Sequence, residues 1–188
     1  MRIISGIAKG KKILRSNDRT TRPLKDLVRE SIFNILTHSN LLKKNLKDAI
    51  ILDLFSGVGS FGLEAISRGS KKVVFFENYT PSISLLEKNI ENLSFHKEAT
   101  IINENIYNEN IFESLTLEFD LLFIDPPFKD NNVNLLIESI VNSKIIHSQS
   151  LVILHRKKNT IEKLNKNFVI KREELYGSSK IVFGYFNR

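Results

Sequence analysis

The chain has 188 residues, with 28 Lys and Arg against 21 Asp and Glu, and it contains no cysteine. This length is sufficient for one substantial hydrophobic core and favours a single domain. The lack of cysteine excludes disulfides, thiolate metal ligands and cysteine nucleophiles, and no apolar run is long enough to span a bilayer. We therefore expect a soluble, cytoplasmic protein.

The positive charge is concentrated at the two ends of the chain. Residues 1–30 hold nine basic and three acidic residues, residues 155–188 hold the same numbers, and residues 31–154 hold ten and fifteen. Basic ends beside an acidic centre are typical of a protein that attracts a phosphate backbone. Ordinary solvated lysine-rich faces are the alternative, and the charge distribution favours nucleic-acid contact over it.

The first elements form a basic extension. Residues 1–20 alternate short apolar and basic stretches, which predicts a small hairpin with two glycines at its turns. Pro23 suits the first turn of a helix over residues 24–36, where apolar residues recur at helical spacing. Lys25 and Arg29 lie four residues apart on this helix, and we expect both on its outward face.

From residue 49 onward, strand and helix patterns alternate, which is typical of a parallel sheet wrapped by helices. The predicted strands cover residues 49–54, 73–77, 99–102, 119–124, 151–154, 168–170 and 181–186. The predicted helices cover residues 61–68, 81–93, with Thr80 as the cap, and 133–141. This pattern predicts an α/β fold.

A glycine-rich string, DLFSGVGSFG, follows the first predicted strand at Asp53–Gly62. Its glycines let the backbone approach a nucleoside cofactor, and Glu77 at the end of the next strand can pair with two ribose hydroxyls. Asp53 favours S-adenosylmethionine over NAD, because a pyrophosphate-binding loop repels an extra carboxylate and a sulfonium cation attracts one. The alternative is that Asp53 caps the turn, Glu77 is an ordinary acid and the glycines only form turns.

A second string, DPPF at Asp125–Phe128, follows the fourth predicted strand, at the edge where open α/β sheets bind ligands. The Asp125 carboxylate and the Pro126 carbonyl can accept the two N–H bonds of a nucleobase amine and turn its lone pair towards a methyl donor. Pro126 and Pro127 stiffen the turn, and Phe128 offers a face on which an extruded base stacks. A proline-stopped strand with a buried Phe is the alternative, which the preceding cofactor string disfavours.

These strings, with TRPLKDLVRESIFNIL at Thr21–Leu36 and LYGSSKIVF near the end, resemble the RsmD family of bacterial rRNA methyltransferases over nearly the whole chain. The resemblance implies a Rossmann-like class I methyltransferase domain at residues 21–188, with a seven-stranded, mainly parallel sheet and an antiparallel last strand. A small N-terminal hairpin and helix extension would occupy residues 1–20. The implied activity is methylation of the N2 amine of a guanine in 16S rRNA, within a small-subunit assembly particle and without metal or membrane.

The expected site residues follow from the strings, the resemblance and the charge. The catalytic residues are Asp125, Pro126, Pro127 and Phe128. The cofactor contacts are Asp53, Phe55, Ser56, Gly57, Gly59, Glu77, Asn78, Asn105, Ile106, Thr21, Arg22 and Pro23. The RNA contacts are Arg2, Lys9, Lys11, Lys12, Arg15, Arg22, Lys25 and Arg29.

The chain departs from the family pattern at three positions. Asn105 stands where relatives usually carry Asp, and it can still bond an adenine edge. Leu154 stands where many carry Glu before the His of the fifth strand, so we assign His155 no catalytic role. Phe128 replaces the commoner Tyr, which keeps the stacking face and loses a hydroxyl.

Three other functions remain open at this point. A DNA adenine or cytosine amino-methyltransferase carries the same strings, although the chain has little room for a target-recognition domain. A non-catalytic RNA-binding assembly factor fits the charge, although Asp53, Glu77 and Asp125 are intact. An NAD-dependent oxidoreductase shares the glycine string.

Overall fold

A computed structural model describes residues 1–15, 24–160, 164 and 166–187. The predicted contacts at Thr21, Arg22 and Pro23 lie outside these residues. None of the helices within the described ranges has the length and apolar character needed to cross a membrane.

The described residues form one seven-stranded sheet. Its strands are β1 (Ile50–Leu54), β2 (Lys72–Phe76), β3 (Ala99–Ile102), β4 (Phe119–Ile124), β5 (Ile146–Lys157), β6 (Phe168–Tyr176) and β7 (Ser179–Phe186). The order across the sheet is β3-β2-β1-β4-β5-β7-β6. Strands β1 to β5 are parallel and β7 is antiparallel to both of its neighbours, which confirms the predicted architecture.

Three strands are longer than the sequence pattern predicts, and β7 differs least, since it begins at Ser179 rather than at residue 181. Strand β5 begins at Ile146 rather than at residue 151, and β6 continues to Tyr176 rather than ending at residue 170. The added part of β6 is mostly charged and exposed. Strand β6 lies at the edge of the sheet. Charged side chains on an edge strand disfavour pairing with a strand of another molecule.

Four α-helices in the described ranges cover the sheet: α1 (Asp26–His38), α2 (Ser60–Ser67), α3 (Thr80–Leu93) and α4 (Val133–Asn142). Successive strand residues point to opposite faces, so neighbours such as Leu121 and Leu122 belong to two separate hydrophobic clusters. Helices α1, α2 and α3 pack on the face that contains Leu121, and α4 packs on the other. Both faces of the parallel strands are therefore buried.

The first fifteen residues fold back on themselves and join this core. Arg2 and Lys12 form an antiparallel bridge. Ile3, Ala8 and Ile13 are almost fully buried in the same cluster as α1, α2 and α3. The segment thus combines a core-facing apolar side with exposed basic side chains.

A buried ionic network attaches this segment to α2. The Glu64 carboxylate, which is fully buried, accepts hydrogen bonds from the backbone N–H groups of Ile4 (2.7 Å) and Ser5 (3.0 Å) and from Arg68 Nε (2.7 Å). Arg29 Nε lies 3.8 Å from the same carboxylate, and Arg29 Nη2 donates to the Arg2 carbonyl at 2.5 Å. Burial lowers the pKa of Arg29, while Asp26 and Glu64 act to raise it.

Arg29 was predicted to lie on the outward face of α1 and to bind RNA, and this prediction is wrong. Its side chain is 0% exposed. The periodicity of α1 places Arg29 beside apolar Val28 and Ile32, and the buried Glu64 supplies the compensating charge that sequence spacing does not reveal.

We predict that Glu64→Gln destabilises the protein by about 3–5 kcal/mol, the usual cost of leaving one member of a buried ion pair without its partner. The Gln amide also places an N–H group opposite N–H donors that bond a Glu64 oxygen in the wild-type protein. Urea unfolding measures the change in the free energy of unfolding.

Asp26→Asn is the matched control, because Asp26 pairs with the same Arg29 at 3.1 Å but its side chain is 52% exposed. We expect that variant to cost about 1 kcal/mol or less. Equal losses in the two variants would contradict the assignment of Glu64 as the charge that holds Arg29.

Candidate active site

A cavity of about 610 Å³ opens at the carboxyl ends of β1, β2 and β4. The strand order reverses between β1 and β4, which is the position where open α/β sheets bind ligands. Phe55, Ser56 and Gly57 border the cavity on one side, and residues 125–128 border it on the other. The fold therefore brings together the two strings singled out in the sequence.

The glycines of the first string have different roles. At Gly57, with φ +56°, an added Cβ would meet no atom within 4 Å, so this position leaves open space at the cavity wall. At Gly59, with φ +82°, an added Cβ would lie 2.4 Å from Leu86 Cδ1. Gly59 does not border the cavity, and its close packing against Leu86 of α3 requires the absence of a side chain.

Asp53 lies behind the glycine loop and does not border the cavity. The residue is only 1% exposed, and its Oδ2 accepts the Gly62 N–H at 3.0 Å. Burial raises its pKa well above the usual range, the Gly62 hydrogen bond opposes this, and the charges of Asp125 and Glu77 raise it further. The turn-capping alternative therefore describes its contact.

Glu77 fixes the shape of the loops around it. Its Oε2 accepts the Gly57 N–H at 2.6 Å, and its Oε1 accepts the N–H groups of Asn78 (3.0 Å) and Tyr79 (2.9 Å). A carboxylate has about four acceptor positions, so this side chain keeps capacity for a further donor. Glu77, Asn78 and Tyr79 all border the cavity.

The loop after β3 supplies the third side of the cavity. Asn105 and Ile106 border it as expected, together with Tyr107. Asn105 Oδ1 accepts the Tyr107 N–H at 3.1 Å, which leaves the amide nitrogen as the group able to donate to an adenine ring. The Tyr107 ring lies 6.1 Å from the Phe55 ring, so two aromatic side chains face this part of the cavity.

The turn formed by residues 125–128 is held by side chains from two neighbouring segments. The Pro127 carbonyl accepts from the Asp130 N–H (2.8 Å) and from Arg156 Nη1 (3.2 Å), and Arg156 Nη2 donates to the Asp130 carbonyl at 2.8 Å. Tyr107 donates its hydroxyl to Asp130 Oδ2 at 2.7 Å. In the described part of the chain, nothing donates to the Pro126 carbonyl, so it is available as an acceptor.

His155 contacts this turn directly, although sequence reasoning assigned it no role. Its Nδ1 lies 2.7 Å from Asp125 Oδ1, and its Nε2 lies 2.9 Å from Ser179 Oγ. The imidazole also packs edge-to-face on Phe128, with ring centroids 5.4 Å apart. His155 and Ser179 both border the cavity.

Sequence reasoning missed several residues of the cavity wall. They include Tyr79, Glu104, Tyr107, His155 and Ser179. The first three lie within two residues of a predicted contact, and His155 directly follows the predicted fifth strand. Proximity to the end of a strand could therefore have identified these four residues. Ser179 had no such signal, because it reaches the site through the antiparallel pairing of β7.

The predicted RNA-binding cations fall into separate groups. Arg15 and Lys25 border the cavity, and both are exposed. Arg2, Lys9, Lys11 and Lys12 are exposed on the N-terminal segment. Arg22 lies outside the described residues.

Known proteins resemble this chain over almost its whole length. The family model described as conserved hypothetical protein 95 matches residues 1–185. Ribosomal RNA small subunit methyltransferase D of Buchnera aphidicola is 31% identical over 182 residues, covering 92% of this chain and 86% of that protein. The protein of the same name from Haemophilus influenzae is 30% identical over 178 residues, covering 94% and 89%.

A solved structure leads to the same group. An Escherichia coli protein described as a methyltransferase superposes with a TM-score of 0.81 at 25% identity, covering 99% of this chain and 97% of that one. The sheet order and the antiparallel β7 are those of class I methyltransferases. The match over residues 1–185 and the full-length relatives agree with this architecture, and the chain belongs to the RsmD family of ribosomal RNA methyltransferases.

Proposed function

We propose that this protein transfers a methyl group from S-adenosylmethionine to the N2 amine of a guanine in 16S rRNA, in the cytoplasm and within a small-subunit assembly particle. The observation that carries the proposal is that Asp125, at the end of β4, borders the same cavity as Gly57 and Glu77. The names of the relatives support ribosomal RNA as the substrate.

The residues of the cavity fit S-adenosylmethionine. The open space at Gly57 admits a ligand close to the backbone, and Glu77, Asn78 and Asn105 offer polar groups for a ribose and an adenine. Asp53 lies buried behind the loop, where a cationic ligand would stabilise its ionised form and a pyrophosphate would oppose it. The cavity is also within the size range of small-molecule sites.

The chemistry requires an amine that is held and oriented, because its lone pair is delocalised into the base. S-adenosylmethionine supplies an electrophilic methyl group on a positively charged sulfur. Asp125 Oδ2 and the Pro126 carbonyl accept the two N–H bonds of the amine, and Phe128 stacks on the base. The methylated nitrogen then gives up one proton, and Asp125, which already accepts that N–H, is the group placed to receive it.

The exposed cations are placed to guide RNA to this cavity. Arg15 and Lys25 lie on its border, and Lys9, Lys11 and Lys12 are exposed elsewhere on the N-terminal segment. Exposed cations bind phosphates with an affinity that falls as salt rises. The position of Arg15 and Lys25 on the border of the cavity supports this part of the proposal.

We predict that Asp125→Ala lowers kcat by about 10²–10³, the scale for removing one positioned polar group from the reacting centre. Binding of S-adenosylhomocysteine, measured by calorimetry, should change little. Transfer of a radiolabelled methyl group measures kcat, with Asp48→Ala as a control because Asp48 is an exposed carboxylate of the 3₁₀ turn at Leu46–Asp48.

The same assay tests the proposed substrate. Wild-type protein is incubated with 16S rRNA, with partly assembled small subunits and with duplex DNA, and the labelled nucleotide is identified by mass spectrometry. Labelled N2-methylguanine in rRNA is the expected result. Labelling of DNA alone, or of another base, would overturn the proposal, as would a melting temperature raised by NADH and not by S-adenosylmethionine.

We predict opposite effects of Asp53→Asn on stability and on cofactor affinity. Burial raises the pKa of Asp53, so the folded protein favours the protonated form, and stability is lost as pH rises through that raised pKa. Asn keeps an acceptor for Gly62 without the buried charge, so the variant should melt at a higher temperature than wild type at neutral pH. Its affinity for S-adenosylmethionine should be lower.

The difference in melting temperature should shrink as the pH is lowered below the folded pKa of Asp53 and close below its unfolded pKa, because the Asp53 carboxyl is then neutral in both the folded and the unfolded state. Asp48→Asn is the control, and its melting temperature should follow wild type. A stability difference that does not vary with pH would show that burial of the charge is not its cause.

The N-terminal cations can be tested without removing the segment that carries them, which also holds the core residues Ile3 and Ile13. We predict the effect of replacing Lys9, Lys11 and Lys12 by Gln. RNA affinity should fall, and the slope of log K against log salt should decrease by about 0.7 for each phosphate that is no longer neutralised. Filter binding over a salt series measures both quantities.

A matched triple variant replaces Lys71, Lys97 and Lys144 by Gln. These exposed lysines precede β2, β3 and β5, at the opposite edge of the sheet from the cavity. An equal decrease of RNA affinity in the two triple variants would contradict a role for the N-terminal cations beyond net charge.

A further inference from the structure

We propose that His155 is a positioning residue that fixes both Asp125 and Phe128 for methyl transfer. The inference rests on the proposed function, because it assigns the reaction to the turn at residues 125–128. One imidazole contacts the proposed hydrogen-bond acceptor of the amine and the proposed stacking face of the base.

The direction of the hydrogen bonds follows from the chemistry of the groups. A carboxylate only accepts, so the proton in the 2.7 Å contact with Asp125 Oδ1 lies on His155 Nδ1. Nε2 then meets Ser179 Oγ at 2.9 Å, where the hydroxyl donates to a neutral ring. Asp125 therefore sets the tautomer, and Ser179 supports it by bonding the unprotonated Nε2.

The imidazole itself is held in place from several directions. His155 is 7% exposed and belongs to β5. On this strand, Leu154 pairs with Ile124 of β4, and His155 itself pairs with Ile181 of β7. The ring packs edge-to-face on Phe128 at an interplanar angle of 78°. The donor to Asp125 is thus carried on a rigid strand rather than on a loop.

This arrangement divides the two oxygens of Asp125 between two tasks. Oδ1 is engaged by His155, and no donor in the described ranges bonds Oδ2, which remains for the amine. The Asp125 side chain keeps 20% exposure, so it is open to the cavity while one oxygen is anchored. Without the imidazole, the Asp125 carboxylate is free to rotate, and Phe128, the proposed stacking partner of the base, loses a packing contact.

A second His–Asp pair on the same two strands shows which part of this arrangement is specific. His147 Nε2 lies 3.4 Å from Asp120 Oδ1, but these residues lie towards the amino end of β4 and do not border the cavity. Both pairs consist of a His on β5 and an Asp that lies in β4 or directly after it. Only the His155 pair lies at the proposed reaction centre.

The experiment compares His155→Leu, His155→Asn and Ser179→Ala in the rRNA methylation assay. We expect His155→Leu to lower kcat by up to about 100-fold, the scale for misplacing a reacting group by about 1 Å. KM for rRNA and the Kd of S-adenosylhomocysteine should change little. His155→Asn should restore most of kcat, because its amide N–H can replace Nδ1–H, and Ser179→Ala should lower kcat less than His155→Leu does.

His147→Leu is the matched control and should keep the kcat of wild type. Wild-type kcat in His155→Leu, or an equal decrease of kcat in His155→Leu and His155→Asn at equal melting temperature, would overturn the inference while leaving the proposed function intact. A wild-type protein that methylates no rRNA would instead show that the proposed function has failed.

A measurement on the wild-type protein does not depend on activity or on the folding of a variant. Nitrogen NMR of the His155 ring should show hydrogen on Nδ1 and, in the neutral ring, none on Nε2. A neutral ring with hydrogen on Nε2 and none on Nδ1 would remove the donor to Asp125 and overturn the inference.

Discussion

The convergence of carboxylates at one edge of the sheet is the constraint on which the site depends. Because β1, β2 and β4 are parallel neighbours, Asp53 near the end of β1, Glu77 after β2 and Asp125 after β4 reach the same region. Like charges in a partly buried region are unfavourable unless backbone N–H groups or a cationic ligand compensate them. Gly62 bonds Asp53, and three N–H groups bond Glu77, so the protein supplies part of this compensation. A cationic cofactor would supply more of it.

The opposite side of α2 uses buried charge for a different purpose. Glu64 and Arg29 lie among apolar residues, and their bonds attach the N-terminal segment to the helix that begins at the glycine loop. Helix α2 is therefore connected to the cofactor side through Gly62 and to the basic segment through Glu64. Next to Arg15, which borders the cavity, Asn89 of α3 bonds both the N–H and the carbonyl of Leu14.

The features predicted correctly from the sequence are those with a periodic apolar pattern and those that form a local motif at the end of one strand. Alternating apolar runs indicated the order of strands and helices, and the glycine and proline strings located both walls of the cavity. The sequence did not predict contacts that join distant parts of the chain. Arg29 was placed outside because its partner Glu64 is 35 residues away in sequence, and Asp53 was placed on the wall because spacing does not reveal depth.

The same limit explains why His155 was overlooked. Its significance comes from three contacts: with a residue 30 positions earlier, with another 24 positions later, and with the ring of Phe128. None of these is visible as a local motif, whereas the pairing of β4 with β5 and of β5 with β7 produces all three together. The strand register thus places the Nδ1–H of His155 beside Asp125, the proposed acceptor of the amine. His147, eight residues earlier on the same strand, has an Asp partner but does not border this cavity, so position in the sheet decides which of the two can influence methyl transfer.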